Sequence, residues 1–194
     1  IWAGHCVAHV LEGMGRRQDG IDWINSHEEA WKKRGIFARH MWWHRALHYL
    51  ELERFDDVLA AFDSEYWPTP SEDNIDITNA SSMLMRLTML GIDVGDRWES
   101  VAKICEGRTE DRLRPFNDLH FIMALAVTGR TKAAREIVAS MRTHVAENDD
   151  NVGTLVDIYR NAGIPVGESI IAYAEKDYAK VVEIMSGARY RMVP

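Results

Sequence analysis

The residues best spaced for chemistry are histidines. His40, His44 and His48 lie at i, i+4 and i+8, and His5 and His9 form a further i, i+4 pair. On a helix such spacing puts the side chains on one face. Two imidazoles one turn apart can share a metal ion, and their nitrogens suit Zn²⁺. The stripe lacks the glutamate of an HExxH motif, because Met41-Trp42-Trp43 fills its interior. A further ligand would have to come from another helix, and His120 stands two repeat lengths beyond His44. Against this metal reading, with His40, His44 and His48 as its set, stands the simpler one of hydrogen-bonded groove histidines that touch a ligand. The second reading is preferred, and neither a metal nor another cofactor is assigned.

Nucleophilic pairs can be written from Cys6 with His44 or His120, or from Ser82 with His44. Such pairs need an orienting third group and an oxyanion site, and the sequence supplies neither. No catalytic residue is assigned, and a non-enzymatic role is the expectation. The acidic neighbours Glu28-Glu29, Asp56-Asp57 and Glu110-Asp111 face different directions on a helix and read as solvated surface.

Amphipathic helices must position these groups. His40–Phe62 reads as two helices broken near Glu53-Arg54. Before it, Val7, Val10, Leu11 and Met14 form an apolar stripe, and Asp19–Ser26 a second short helix. After it come Thr78–Leu90 with Met83, Leu84, Leu87 and Leu90 on one face, then a helix through Trp98–Ile104 that Asp96 can cap. Phe116–Thr128 and Ala133–Met141 make the next pair. Leu155–Tyr159 gives a short helix that Gly163-Ile164-Pro165 ends, a new one holds Ile170, Ile171 and Tyr173, and a break at Lys176-Asp177 leads to the last. The turn positions Gly15, Glu53, Gly91 and Gly129 are each 38 residues apart, and Lys176 follows Gly129 by 47. A constant period of this length is the signature of stacked helix pairs. Asp63–Ile77, with Pro68 and Pro70, cannot be helical throughout. Its Tyr66 and Trp67 are expected to pack inward. Arg16, Arg54 and Arg130 recur at the turns, to meet helix carbonyls or nearby acids.

Charge and composition limit the partners. A net charge of −7 argues against a general nucleic-acid binder. No run of 18 apolar residues is present to span a membrane. Cys6 and Cys105 form no CxxC motif, which fits a reduced, cytoplasmic setting.

His9–Ile24, His40–Asp63, Asn79–Trp98, Phe116–Arg130 and Gly163–Met185 resemble the tetratricopeptide repeat superfamily, and more narrowly the tetratricopeptide repeat protein 38 family. Trp42, Ala46, Tyr49, Val58 and Phe62 stand at the repeat's aromatic, small and second-helix anchor positions. Arg45 stands where the generic repeat prefers Leu. The resemblance implies an all-α, right-handed solenoid of about ten helices, two in each of five units. It implies no catalytic residues. Family members are longer, so the chain reads as a C-terminal portion forming one helical-repeat domain over residues 1–194.

Stacking in register at this period would line His5 with Trp43, Cys6 with His44, and His9 with Leu47 and Met85. The expected contact set for a protein, peptide or small ligand on the concave face is therefore His5, His9, Trp43, His44, Leu47, His48, Met85 and His120. An uncapped solenoid end also leaves room for a homodimer.

Overall fold

The turns spaced along the chain share one backbone conformation. The computed structural model describes residues 2–112, 114–148 and 154–189. In it Gly15, Glu53, Gly91, Gly129 and Lys176 all have positive φ, from 57° to 76°. At each, the next residue's amide donates to the carbonyl five residues back: Arg16 to Leu11, Arg54 to Tyr49, Ile92 to Leu87, Arg130 to Leu125 and Asp177 to Ala172. This is the Schellman closure, which satisfies carbonyls a helix end would otherwise leave unpaired. The recurring arginines pair with acids, Arg16 with Asp19, Arg54 with Asp57, and Arg130 with Glu99 and Glu106.

The described residues are all-helical, without strands: α1 (Trp2–Gly13), α2 (Arg17–Ser26), α3 (Glu28–Trp31), α4 (Ile36–Glu51), α5 (Phe55–Ala61), α6 (Asn74–Met89), α7 (Arg97–Glu106), α8 (Pro115–Val127), α9 (Thr131–Glu147), α10 (Thr154–Ile158), α11 (Ile164–Ala174) and α12 (Tyr178–Ala188). The chain divides into two compact units, Ile1–Val94 and Gly95–Pro194.

In the first unit α4 is the hub, packed against α1, α2, α5 and α6. Ala8, Ile24, Trp31, Ala38 and Met41 form a core, flanked by Trp23, Phe37 and Trp42. Ala46, Val58 and Phe62 are buried, whereas Trp42 and Tyr49 are half-buried. Arg45 is buried as well. It reaches Asn25 at 2.6 Å and pairs with Glu65, tying α4 to α2 and to the segment after α5. Phe62–Tyr66 widens into a π-turn, and Tyr66 and Trp67 pack inward as expected. Asp73 caps α6, its carboxylate accepting from the Ile75 amide at 2.8 Å, so this helix starts before the expected Thr78. The α1 stripe fares differently: Leu11 is buried, but Val10 and Met14 are exposed and Ala8 packs in their place.

In the second unit α8 contacts α7, α9 and α11, and α12 lies on α11. Phe121, Ile122, Leu125, Met141 and Tyr159 are fully buried. One sequence expectation is corrected here: Asp96 precedes α7 but makes no side-chain cap. Gly163-Ile164-Pro165 starts a new helix as expected, α11 opening at Ile164 with Pro165 in its first turn, and Tyr159–Gly163 forms a π-turn that joins α10 to it without a gap. The Ile164 amide donates to the Tyr159 carbonyl, and the wider turn accommodates a proline that has no amide proton to give.

Candidate metal centre

Helices α1 and α4 pack directly on one another, and each turns an i, i+4 histidine pair toward the other. Four imidazoles meet there. One nitrogen from each of His5, His9, His40 and His44 lies within 4.8 Å of all the others. His5 Nε2 is 3.1 Å from His9 Nε2, 3.0 Å from His40 Nε2 and 3.0 Å from His44 Nε2. His40 and His44 are 3.2 Å apart through the same atoms.

These contacts exceed what hydrogen bonding can satisfy. An imidazole Nε2 has one in-plane site, either a proton or a lone pair. His5 Nε2 cannot serve three nitrogen neighbours in that way. Lone pairs directed at a shared cation can converge so. A tetrahedron with metal–nitrogen bonds of 2.0–2.1 Å has nitrogen–nitrogen edges of about 3.3 Å, so the triangle of His5, His40 and His44 needs only a slight opening.

Burial and neighbouring rings keep His5, His40 and His44 in the ligand form. Burial, then the neighbouring His40 and His9, lowers the pKa of His5 from 6.5 to about 4. Burial, then His44, does the same for His40. His44 is also lowered, chiefly by burial, with Glu12 opposing. Neutral imidazole is the form that binds metals.

The opposite edges of two rings face oxygen. His40 Nδ1 lies 3.4 Å from Asn79 Oδ1 on α6, and His44 Nδ1 lies 3.4 Å from Glu12 Oε2 on α1. The second is a close approach of a carboxylate oxygen to a neutral ring rather than a well-aligned hydrogen bond, since among the described residues that nitrogen has no partner of good geometry. Both favour the proton on Nδ1 and the lone pair on Nε2, the tautomer that turns electrons inward. Around the cluster, Trp43 stacks on His40 with an interplanar angle of 13°, and Trp2 and Phe37 present edges to His5.

The sequence-derived residues separate into groups. His5, His9 and His44 come together, joined by His40, and Trp43 borders them. His48, the third member of the expected metal stripe, is 1% exposed and turns to Gly20 on α2 instead. Leu47 is buried in the core and Met85 is half-buried on α6. His120 belongs to the second unit, where its Nδ1 donates to the Phe116 carbonyl at 2.7 Å. Of the paper nucleophiles, Cys6 is exposed, and Ser82 Oγ donates to the Asn79 carbonyl. Burial pushes the Cys105 thiol up to about 12, which keeps it protonated. Sequence spacing missed Glu12 and Asn79, which carry no periodic signal.

No protein-family model matches the chain, and no solved structure matches it.

Proposed function

We propose that the protein binds a divalent transition-metal ion, with Zn²⁺ the best match, through His5, His9, His40 and His44. The observation that carries this reading is the convergence of three other Nε2 atoms on that of His5 at 3.0–3.1 Å. The depressed pKa values and the oxygens behind His40 and His44 support it. An all-nitrogen donor set favours zinc over the oxygen-seeking Mg²⁺ and Ca²⁺. Elemental analysis of protein dialysed against zinc tests the reading. The wild type should retain one equivalent and His44→Ala should lose it. A wild type that retains no zinc sinks the proposal.

A second reading has its own support. Five turns of one conformation, four of them 38 residues apart, favour a tetratricopeptide-type binding module of the family the sequence resembles. Its contact surface for a peptide or small ligand would include the aromatic rim at Trp2, Phe37 and Trp43. An experimental structure tests it: successive helix pairs must superpose by one constant rotation, and unrelated rotations refute the repeat. A reduced, cytoplasmic setting belongs to either reading and accords with the free Cys6 and Cys105. Among the described residues no helix is long and apolar enough to cross a membrane.

A further inference from the structure

The four histidines are not equivalent. The Nε2 atoms of His5, His40 and His44 form a nearly equilateral triangle with edges of 3.0, 3.0 and 3.2 Å. His44 is buried and His5 and His40 are half-buried. His9 stands outside this triangle. It is exposed, and its ring-nitrogen hydrogen-bonding contact among the described residues is with His5 alone, at 3.1 Å. Its ring meets those of His5 and His44 edge-on, at centroid distances of 4.5 and 4.4 Å.

Three nitrogens on one face of an ion leave the opposite face for a fourth ligand. Centres that exchange ligands are built this way, with three protein donors and one position for water or substrate. The donor occupying that position controls access. An exposed imidazole competes with water more weakly than an enclosed one, because it is already solvated when it lets go.

Resting on the metal reading above, we propose that His5, His40 and His44 hold the ion while His9 is an exchangeable fourth ligand. Water or a small anionic or neutral donor, of the azide or free imidazole class, displaces it. In that exchange the metal–Nε2 bond of His9 breaks, a bond to the incoming donor forms, and His9 leaves as the neutral base. The position opens toward solvent, because His9 itself is exposed.

Cobalt(II) replaces zinc in tetrahedral nitrogen sites and reports its coordination in visible absorption. The test is titration of Co²⁺ into wild type, His9→Ala, His9→Gln and His44→Ala, followed by azide. Far-UV circular dichroism establishes that each variant is folded. The wild type and both His9 variants should bind one equivalent, with His9→Ala weakened by about tenfold, the scale of a peripheral partner. His44→Ala should bind none. Azide should change the spectrum of His9→Ala at lower concentration than that of the wild type, and free imidazole should restore the wild-type bands. If both His9 variants lose cobalt as fully as His44→Ala, His9 is an equal ligand and the proposal fails while the metal reading stands. Cobalt binding to His9→Ala with no response to azide or imidazole also overturns it. A wild type that takes up no cobalt and no zinc overturns the metal reading itself.

Discussion

The imidazole of His48 occupies the space a side chain would need at Gly20. A Cβ built on Gly20 would stand 2.1 Å from His48 Nε2 and 2.4 Å from Cε1. Gly20 lies on α2 and His48 on α4, so this contact sets how closely the two helices approach. Among the described residues neither ring nitrogen of His48 has a hydrogen-bond partner, and the ring acts as a packing element. Gly20→Ala should therefore cost on the order of 1–3 kcal/mol as α2 is pushed from α4. Adding His48→Ala should return part of that loss. Urea denaturation of the single and double variants checks both statements, and a Gly20→Ala midpoint equal to wild type would refute the contact.

The left-handed turns offer a stabilising change. Gly15, Gly91 and Gly129 adopt positive φ without steric penalty, but Glu53 (φ 57°) and Lys176 (φ 63°) hold equivalent turns with a Cβ. That conformation costs an L-residue roughly 1–2 kcal/mol, offset in part by the extra freedom glycine has when unfolded. Glu53→Gly and Lys176→Gly should each raise stability by about 0.5–1 kcal/mol, additively because the sites lie in different units. Thermal melts should show upward shifts for each variant. Gly91→Ala should move the opposite way.

The turn register was legible because Schellman closures demand particular positions, and glycine marks three of the first four. Burial of Tyr66 and Trp67 was legible from their apolar area. The histidine pairs on α1 and α4 were visible as spacing, yet which pair meets which depends on how two helices cross. A strict 38-residue offset aligns His5 with Trp43 and His9 with Leu47, whereas the structure brings His5 onto His40 and His44. His48 looked like a third ligand by period. One further turn along α4 carries it from the α1 contact to Gly20, a displacement that a one-dimensional pattern does not contain. Pro165 signalled a helix start, and α11 does begin at Ile164; the π-turn that links it to α10 left no mark in the pattern.

Acid should weaken the metal-free protein through the histidine cluster. The pKa values of His5 and His40 fall from 6.5 in an open chain to about 4 in the fold, first through burial and then through neighbouring histidines. Between those values the unfolded chain binds more protons than the folded one. The cluster's contribution is thus fully present above pH 6.5 and is lost as pH falls toward 4. Glu12, held low mainly by His44, acts in the same direction at the acid end. Metal-free wild type in chelator should lose melting temperature across that window. A His5→Asn/His40→Asn variant should lose less, and parallel profiles for the two proteins would contradict the burial of these rings.

In the second unit the sign is reversed. Tyr159 Oη donates to Asp118 Oδ2 at 2.7 Å, with both residues buried. Burial raises the Asp118 pKa from 3.8 to about 6 despite the opposing effect of that hydrogen bond. An acid whose folded pKa lies above its unfolded value stabilises the fold while protonated. That stability is fully present below about pH 4 and is lost as pH rises through 6. Ionised Asp118 therefore costs about 2–3 kcal/mol at pH 7. Asp118→Asn keeps a carbonyl oxygen for the Tyr159 hydroxyl and removes the charge. It should be more stable than wild type at pH 7 by that margin and nearly equal at pH 4. Tyr159→Phe should be less stable at both, since it strands a buried carboxyl group without its donor. Denaturation curves at the two pH values decide the matter: a constant difference between Asp118→Asn and wild type would mean that the carboxylate ionises in the fold without penalty.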